Sequence, residues 1–322
     1  TSGTLEAWFV DALQEEDADV DLQPALAAAG SYQLAALALG TLAGGALPTL
    51  FAWLPAEGLL SPLSVPLVAS TVLQVLVVVV AAAALVERRQ AGAASMREAM
   101  RPRALVAHVG RAFAAVARAP RLRLLLVGDV AVGAVLAASE NLWQPFFADR
   151  LPGGGAALAA GDGTVVLGVL LAGSFGVGIL GNVVATRLSA AMGRRHALVA
   201  AVFQVFHGGA FVLLALVGGF LPAAALFWAT YLARSGWGSP HMALYNRQVG
   251  ARERSVMLSV QSLASFLGAF AGSVALGAVA DATSVGTAWG VGGALVAATA
   301  LLYLRLDREE RRTVSAGEAL AG

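Results

Sequence analysis

The stretch that decides the fold is VVLGVLLAGSFGVGILGNVVATRL, Val165 to Leu188. Within it, GVGILG (Gly176 to Gly181) matches the G-x-G-x-x-G pattern of dinucleotide-binding loops. That pattern indicates a nucleotide site only after a short strand, at the start of a helix, with an acidic residue about 20 residues further on. The stretch contains no turn signal and no charge before Arg187, and positions 200 and 201 are alanines. It therefore predicts one apolar helix that crosses a bilayer, and it argues against a nucleotide site.

The composition of the whole chain predicts a membrane protein. Of its 322 residues, 58% are hydrophobic and 13% are charged, whereas soluble domains average about 45–50% apolar and about 25% charged residues. A transmembrane helix needs about 20 consecutive, mostly apolar residues. Eight segments meet this need: 25–53, 62–86, 122–147, 164–188, 196–217, 220–247, 255–279 and 284–305. We therefore predict an all-α polytopic bundle with about eight full transmembrane helices.

The arginines predict how this bundle is oriented. All 21 basic residues are arginine, and 19 of them fall in the loop 87–123, in alternate short loops after it, and in the tail. The loops between these hold only Arg150, and Arg234 lies inside an apolar segment. Because short cytoplasmic loops are enriched in Lys and Arg, we expect the arginine-rich side, the linker and the C-terminus to be cytoplasmic in a bacterial inner membrane. The acidic run 11–21 is expected on the same side.

Glycines in the apolar segments predict close helix contacts. Membrane helices associate through tight packing at small residues, because apolar surfaces gain little by leaving lipid. The predicted contact positions are Gly168, Gly173, Gly176, Gly178, Gly181, Gly40, Gly44, Gly268, Gly272, Gly286, Gly290 and Gly293.

Three short motifs and the loop pattern resemble the major facilitator superfamily. MGRRHAL (Met192 to Leu198) is similar to the end of the signature loop of that family, although Ala190 and Ala191 replace its usual Asp-Arg. NRQVGARERSVMLS (246–259) is similar to the connection between its helices 10 and 11, and SGTLEAWFVDAL (2–13) to the end of its helix 4. The resemblance implies a chain that runs from the end of helix 4 through helix 12. The gating-loop candidates that it implies are Gly193, Arg194, Arg195, Arg252 and Arg254.

The resemblance also implies the domain organisation. Residues 1–86 would be the remnant of the N-terminal helical half, comprising the end of helix 4 and helices 5 and 6. Residues 87–121 would form a cytoplasmic linker whose stretch 104–118 is an amphipathic interfacial helix, with apolar residues at three- to four-residue spacing. Residues 122–306 would be the six-helix C-terminal half, and 307–322 a cytoplasmic tail.

Polar residues inside the predicted spans are the candidates for function, since a charge near the bilayer centre costs roughly 2.5–3.5 kcal/mol on insertion scales. Asp129 and Glu140 lie eleven residues apart in one segment, which places them on one helix face about 16 Å apart. Asn141 and Gln144 follow close to Glu140. Simple hydration at the outer rim is the alternative interpretation for Glu140, while Asp129 lies deeper.

A second segment, 220–247, carries Arg234 near its middle, followed by Trp237, His241 and Tyr245. In the family these two segments are helices 7 and 10, which line the central cavity. Arg234 could form a structural ion pair with Asp129 or Glu140, handle substrate or protons, or reach a membrane edge. Glu6, in the first helix, is a further candidate for the cavity. His207 is expected to be structural. The amides expected to join helices are Gln33, Gln74, Asn182, Gln204 and Gln261.

These features favour a secondary transporter. If only one acid pairs with Arg234, the other acid is free to bind and release a proton. We therefore expect proton-coupled efflux of small hydrophobic or amphipathic organic molecules by a monomer in the lipid bilayer, across a cavity lined by Trp143, Phe146, Trp237 and Tyr245. Uptake of a nutrient or an organic anion is the alternative, and a membrane-embedded enzyme or scaffold is a further one. No cysteine, H-E-x-x-H, Walker A or G-x-S-x-G motif is present, so no enzyme activity, cofactor, metal or nucleic acid is expected.

Overall fold

A computed structural model of the chain describes residues 3–17, 19–55, 60–84, 116, 118–151, 162–249 and 254–321. Across these residues the fold is all-α, with nine α-helices, one short 3-10 helix (Pro62–Ser64) and no strand. The helices are α1 (Gly3–Glu16), α2 (Leu22–Leu50), α3 (Val65–Ala84), α4 (Pro120–Ala148), α5 (Asp162–Ala191), α6 (His196–Leu216), α7 (Phe220–Arg247), α8 (Arg254–Ala282) and α9 (Val285–Ala321).

Seven of these helices are long and apolar enough to cross a membrane: α2 to α6, α8 and α9. The remaining predicted span, 220–247, forms α7. This helix has 28 residues but is not counted among the seven, because Arg234, His241 and Asn246 make it more polar. It nevertheless packs inside the bundle, against α5 and α6. The stretch 165–188 lies within one continuous helix, α5. This confirms the helical prediction for the G-x-G-x-x-G pattern, which would need a strand and a turn to bind a nucleotide.

Six helices form the body of the bundle. The main contacts join α4 to α8, α5 to α7, and α6 to both α7 and α9, while α9 also packs against α4. Of the remaining helices, α2 packs against α5 and α7, and α1 against α8. No described side chain of α3 is buried. Most of the apolar surface of α3, such as Val77 and Val78, is exposed, as expected for a helix whose solvent is lipid.

Glycines bring the helix backbones together at three crossings. A side chain at Gly268 or Gly272 of α8 would overlap the backbone of α4, and one at Gly181 of α5 would overlap the carbonyl of Leu232 in α7. Gly208 of α6 and Gly293 of α9 contact each other in the same way. Four of these five glycines, Gly181, Gly268, Gly272 and Gly293, are predicted contact positions, and the prediction of close contacts is confirmed there. The fifth, Gly208, was not predicted. It is wrong at Gly40, Gly44, Gly168 and Gly176, where a Cβ atom would meet nothing within 4 Å.

The arginine-rich segments meet at one end of the bundle, called here the arginine-rich end. Arg195, between α5 and α6, binds Asp307 of α9 at 2.6 Å, and Arg121 of α4 lies 3.8 Å from Glu309. Asp21, in the acidic run, binds His196 at 3.0 Å. The basic loops and the acidic run therefore share one end, as the loop charges predict. Helix α9 continues through Ala321, so residues 307–321 extend the last helix as a helical tail.

Candidate functional site

A buried carboxylate lies between four helices near the arginine-rich end. Asp129 of α4 is 2% exposed and sits nine residues from the start of its helix, about 14 Å along the axis. Its Oδ1 atom is 3.1 Å from Nε2 of His241 in α7, and it accepts a hydrogen bond of 3.1 Å from the amide of Gln261 in α8. Its Oδ2 atom is buried and has no hydrogen-bond partner among the described residues. Among the described residues, Asp129 therefore keeps one free acceptor oxygen in a nearly fully buried position.

The hydrogen bonds around His241 run in one direction. The indole of Trp237 donates to the hydroxyl of Tyr303 at 2.7 Å, and that hydroxyl lies 2.9 Å from Nδ1 of His241. An ionised Asp129 can only accept hydrogen bonds, so beside it a neutral His241 carries its proton on Nε2 and donates to Asp129. Nδ1 of His241 then accepts the hydrogen of the Tyr303 hydroxyl. A proton added to Nδ1 would force the Tyr303 hydroxyl to turn, so the network distinguishes two protonation states.

The helix crossings hold this network in place. Gly268 of α8 contacts the backbone of Val130, which adjoins Asp129, and Gly133 of α4 contacts the backbone of Ser265, one turn beyond Gln261. On α7, the ring of His241 stacks on Trp237 with centroids 4.5 Å apart. The hydroxyl of Tyr245, one turn beyond His241, donates to the carbonyl of Met257 in α8. We call Asp129, Trp237, His241, Gln261 and Tyr303 the carboxylate–histidine network.

A second carboxylate lies next to this network. Glu6 of α1 is within electrostatic range of His241 and interacts with the side chain of Asn246 in α7. One of its carboxylate oxygens, Oε1, is buried without a hydrogen-bond partner among the described residues. The two acids therefore approach His241 from α1 and from α4. This arrangement brings together three of the predicted candidates, Glu6, Asp129 and His241.

Arg234 does not pair with either predicted acid. Asp129 binds His241 instead, and among the described residues no carboxylate lies within ion-pair distance of Arg234. Arg234 is seven residues from His241, about 10 Å toward the opposite end of the bundle. There it lines a small cavity with Ser139 and His207. The structural ion pair of Arg234 with Asp129 or Glu140, one of the three possibilities that the sequence left open, is therefore not formed, because helical spacing gives a residue's depth and face but not its neighbours.

The polar residues beyond Asp129 on α4 lie on an open face. Glu140, Asn141 and Gln144 are exposed, and Asn141 donates a hydrogen bond of 3.4 Å to Ser273 of α8. Val127 and Val130 are exposed nearer the arginine-rich end, beyond the buried residues 131–135. We call these five exposed residues together the open stripe of α4. Since polar groups at membrane depth face a cavity or the interior of a bundle, the open stripe is the part of α4 that a solute could contact.

The aromatic residues expected to line the cavity are buried. Trp143, Phe146, Trp237 and Tyr245 have no more than 8% of their surface exposed. Phe146 packs against Trp289 of α9 with ring centroids 4.4 Å apart, and Trp143 stacks on Phe227. These rings stabilise the helix contacts. The expectation of an aromatic cavity wall is wrong, because large apolar rings gain more from packing between helices than from facing an aqueous hollow.

Three of the five gating-loop candidates, Arg194, Arg195 and Arg254, form ion pairs at the arginine-rich end. Gly193 and Arg194 adopt positive φ angles of 65° and 60°, which makes the tight turn between α5 and α6. Arg194 lies 3.5 Å from Asp21, and the hydrogen bonds from Arg195 to Asp307 raise the pKa of Arg195. Arg254 pairs with Asp11 of α1. Arg252 and most of the predicted amphipathic helix, 104–118, lie outside the described residues.

Among the amides expected to join helices, Gln261 and Asn182 do so. Gln261 belongs to the carboxylate–histidine network, and Asn182 of α5 bonds to Ser31 of α2 at 3.2 Å. Gln204 is buried with both polar atoms unpartnered among the described residues, while Gln33 and Gln74 are exposed. Sequence reasoning missed Tyr303. Its only signal was a hydroxyl-bearing ring inside the apolar run ALLYLRL, 300–306.

No family model, curated protein or solved structure matches the chain. The described residues contain no group of three or more His, Cys, Asp or Glu side chains that could hold a metal ion. The ionisable side chains that the arrangement brings together are those of Asp129, Glu6 and His241.

We expect Tyr303→Phe to destabilise the folded bundle. The substitution leaves the indole N–H of Trp237 and Nδ1 of His241 without their buried partner, at a cost of about 1–3 kcal/mol. The measurement is the melting temperature of the purified protein in detergent. Tyr32→Phe is the matched control, because Tyr32 is 79% exposed. Equal melting temperatures for the two variants would contradict the hydrogen bonding of Tyr303 to Trp237 and His241.

Proposed function

We propose that the chain is part of a secondary transporter of the major facilitator type that couples proton movement to the export of small amphipathic organic molecules. The observation that carries this proposal is the pairing of Asp129 and His241, which are 3.1 Å apart and nearly fully buried where α7 packs among helices able to cross a membrane, α4, α8 and α9. Titratable groups that are kept inside the membrane at such a cost usually belong to ion or substrate pathways.

The helix contacts support the family assignment. In this family each six-helix half contains two three-helix repeats of opposite orientation. If α4, α5 and α6 correspond to α7, α8 and α9, then the contact of α4 with α8 corresponds to that of α7 with α5. The contact of α6 with α9 corresponds to itself, and that of α4 with α9 corresponds to that of α7 with α6. The principal helix contacts of the bundle thus form the pairs that a twofold repeat requires.

The mechanism that we propose uses the carboxylate–histidine network as the proton site. With Asp129 ionised, its charge is held by hydrogen bonds from His241 and Gln261. A proton taken up on the free Oδ2 atom neutralises the carboxylate and weakens its attraction for His241. Glu6, on a helix outside the six-helix body, then competes for His241. Movement of α1 relative to α4 and α7 would follow from this change of partner, and the arginine-rich end would face the cytoplasm of a bacterial cell.

The open stripe of α4 supports an amphipathic substrate. It combines the exposed side chains of Val127 and Val130 with those of Glu140, Asn141 and Gln144. A solute with both apolar and hydrogen-bonding groups could contact the valines at one end of α4 and the polar side chains at the other. The repeats would then rock about the bound solute to expose it to either side in turn.

Proton movement in proteoliposomes tests this function even while the substrate is unidentified. The protein is reconstituted with a pH-sensitive dye inside, under a clamped membrane potential, and amphipathic cations, neutral compounds and anions are added outside in turn. We expect at least one class to drive proton movement that liposomes without protein do not show. Solute flux that does not respond to an imposed pH gradient would overturn the coupling, and chemical conversion of a solute without flux would indicate an embedded enzyme.

A further inference from the structure

The bundle contains a second polar site, separate from the carboxylate–histidine network. A small cavity lies between α4, α6 and α7, with room for about one water-sized group. Its polar lining comes from Ser139 of α4, His207 of α6, and Thr230 and Arg234 of α7. Arg234 is 14 residues from the start of α7 and 13 from its end, so it lies near the middle of the helix. The cavity is therefore at the depth where an alternating-access transporter holds its substrate.

The guanidinium of Arg234 has no counter-ion in the described part of the chain. Among those residues no carboxylate is within ion-pair distance, and no hydrogen bond to Arg234 is formed. Glu140, beside Ser139 on α4, is the carboxylate that the sequence suggests as a counter-ion of Arg234. Both Glu140 and Arg234 are within electrostatic range of Tyr231. Yet Glu140 is exposed on the open stripe. An unpaired cation at this depth is costly, and binding of an anion would offset the cost.

A buried imidazole beside Arg234 also lacks a partner. His207 is 4% exposed, and its Nδ1 atom has no hydrogen-bond partner among the described residues. Its ring packs against Phe211 in a tilted arrangement, with centroids 5.3 Å apart. The hydroxyl of Thr230 already donates to the carbonyl of Phe227 at 2.7 Å. The remaining polar side chains that line the cavity are therefore Arg234, His207, Ser139 and Tyr231.

We infer that this cavity binds the carboxylate of an organic anion. A guanidinium presents paired N–H donors that match the two oxygens of a carboxylate. Because the cavity has room for only one water-sized group, one carboxylate oxygen would enter it, and the rest of the anion would lie outside it. The identification of this anion as the transported solute rests on the proposed function. The binding of the anion at Arg234 does not depend on that function.

Binding of radiolabelled benzoate to the purified 322-residue chain in detergent tests the site. We expect saturable binding that Arg234→Ala weakens by about tenfold or more. Arg234→Lys keeps the charge but loses the paired donors, so its affinity should fall between the two. Arg247→Ala is the matched control, because Arg247 is an exposed arginine on the same helix. Elution volume and melting temperature confirm that each variant is folded.

Three competitors define the ligand. Unlabelled benzoate should displace the label, benzyl alcohol at the same concentration should not, and chloride should displace it only at far higher concentration. Equal binding to the Arg234→Ala variant would overturn the site, and displacement by equimolar chloride would overturn the carboxylate in favour of a monatomic anion. Saturable, Arg234-dependent binding without proton-coupled flux would retain this site while removing the proposed function. Proton-coupled flux without such binding would retain the proposed function while removing this site.

Discussion

Replacing Asp129 with asparagine should abolish proton-driven transport while the protein remains folded. Asparagine has nearly the same shape, and its side-chain oxygen can still accept the hydrogen bonds that Asp129 receives from His241 and Gln261. It cannot gain or lose a proton in the physiological range. We therefore expect flux driven by a pH gradient to fall to the level of liposomes without protein, while exchange of labelled for unlabelled solute continues.

The matched control for this result is Asp281→Asn. Asp281 is an exposed acid near the end of α8 that is far from the arginine-rich end, and it has no part in the carboxylate–histidine network. Its replacement should leave gradient-driven flux unchanged. A second comparison uses His241→Gln, which keeps a donor toward Asp129 but removes the titratable ring, and which should shift the pH dependence of flux. Full gradient-driven flux in Asp129→Asn would exclude Asp129 as the coupling group.

The second large effect is expected from Gly268→Leu. A side chain at Gly268 would overlap the carbonyl of Val130, so α4 and α8 could not approach as they do. Forcing extra atoms into a packed contact costs typically 1–3 kcal/mol, and we expect about 3 kcal/mol or more here because the obstacle is backbone. The measurement is the fraction of protein that elutes as a folded species in detergent, together with its melting temperature.

Gly277→Leu on the same helix is the control for this substitution. A Cβ atom at Gly277 would meet nothing within 4 Å, so leucine there adds apolar surface without a clash. Because Gly268 contacts the residue next to Asp129, a partly folded Gly268→Leu variant should also lose the contact of Asp129 with Gln261. Similar stability of both leucine variants would indicate that α4 and α8 do not pack in backbone contact at Gly268.

The sequence was sufficient for the helices and for the common position of their charged ends. Runs such as 164–188 are long and apolar, contain no proline and no charge before Arg187, and lipid leaves them no alternative to a helix. Loop arginines such as Arg195 lie at the same end of the bundle as the acidic Asp21, because alternate connections between membrane helices lie on the same side. The polar helix α7 was found in the same way, although its composition alone would not count it as a span.

The partners of the site residues could not be obtained in this way. The spacing of Asp129 and Glu140 gives one face of α4, yet it says nothing of which helix covers that face. The structure covers Asp129 with His241 and leaves Glu140 open. Tyr303 is brought to His241 by the packing of α9 against α4 and α6, which involves residues more than 60 positions away. Such contacts depend on the rotation of each helix about its axis, and glycine positions restrict that rotation without fixing it.

The polarity of α7 has a consequence for how the protein is made. A nascent segment with arginine at its centre and a histidine and an asparagine further along has little tendency to partition into lipid unaided. The helices that shield α7 are not all made before it. Helices α5 and α6 are synthesised earlier, whereas α8 and α9, which carry Gln261 and Tyr303, are synthesised later. We expect α7 to be retained beside its predecessors at the insertion machinery until the last two helices arrive. Truncation of the chain after α7 should therefore yield a segment that remains accessible from the aqueous side.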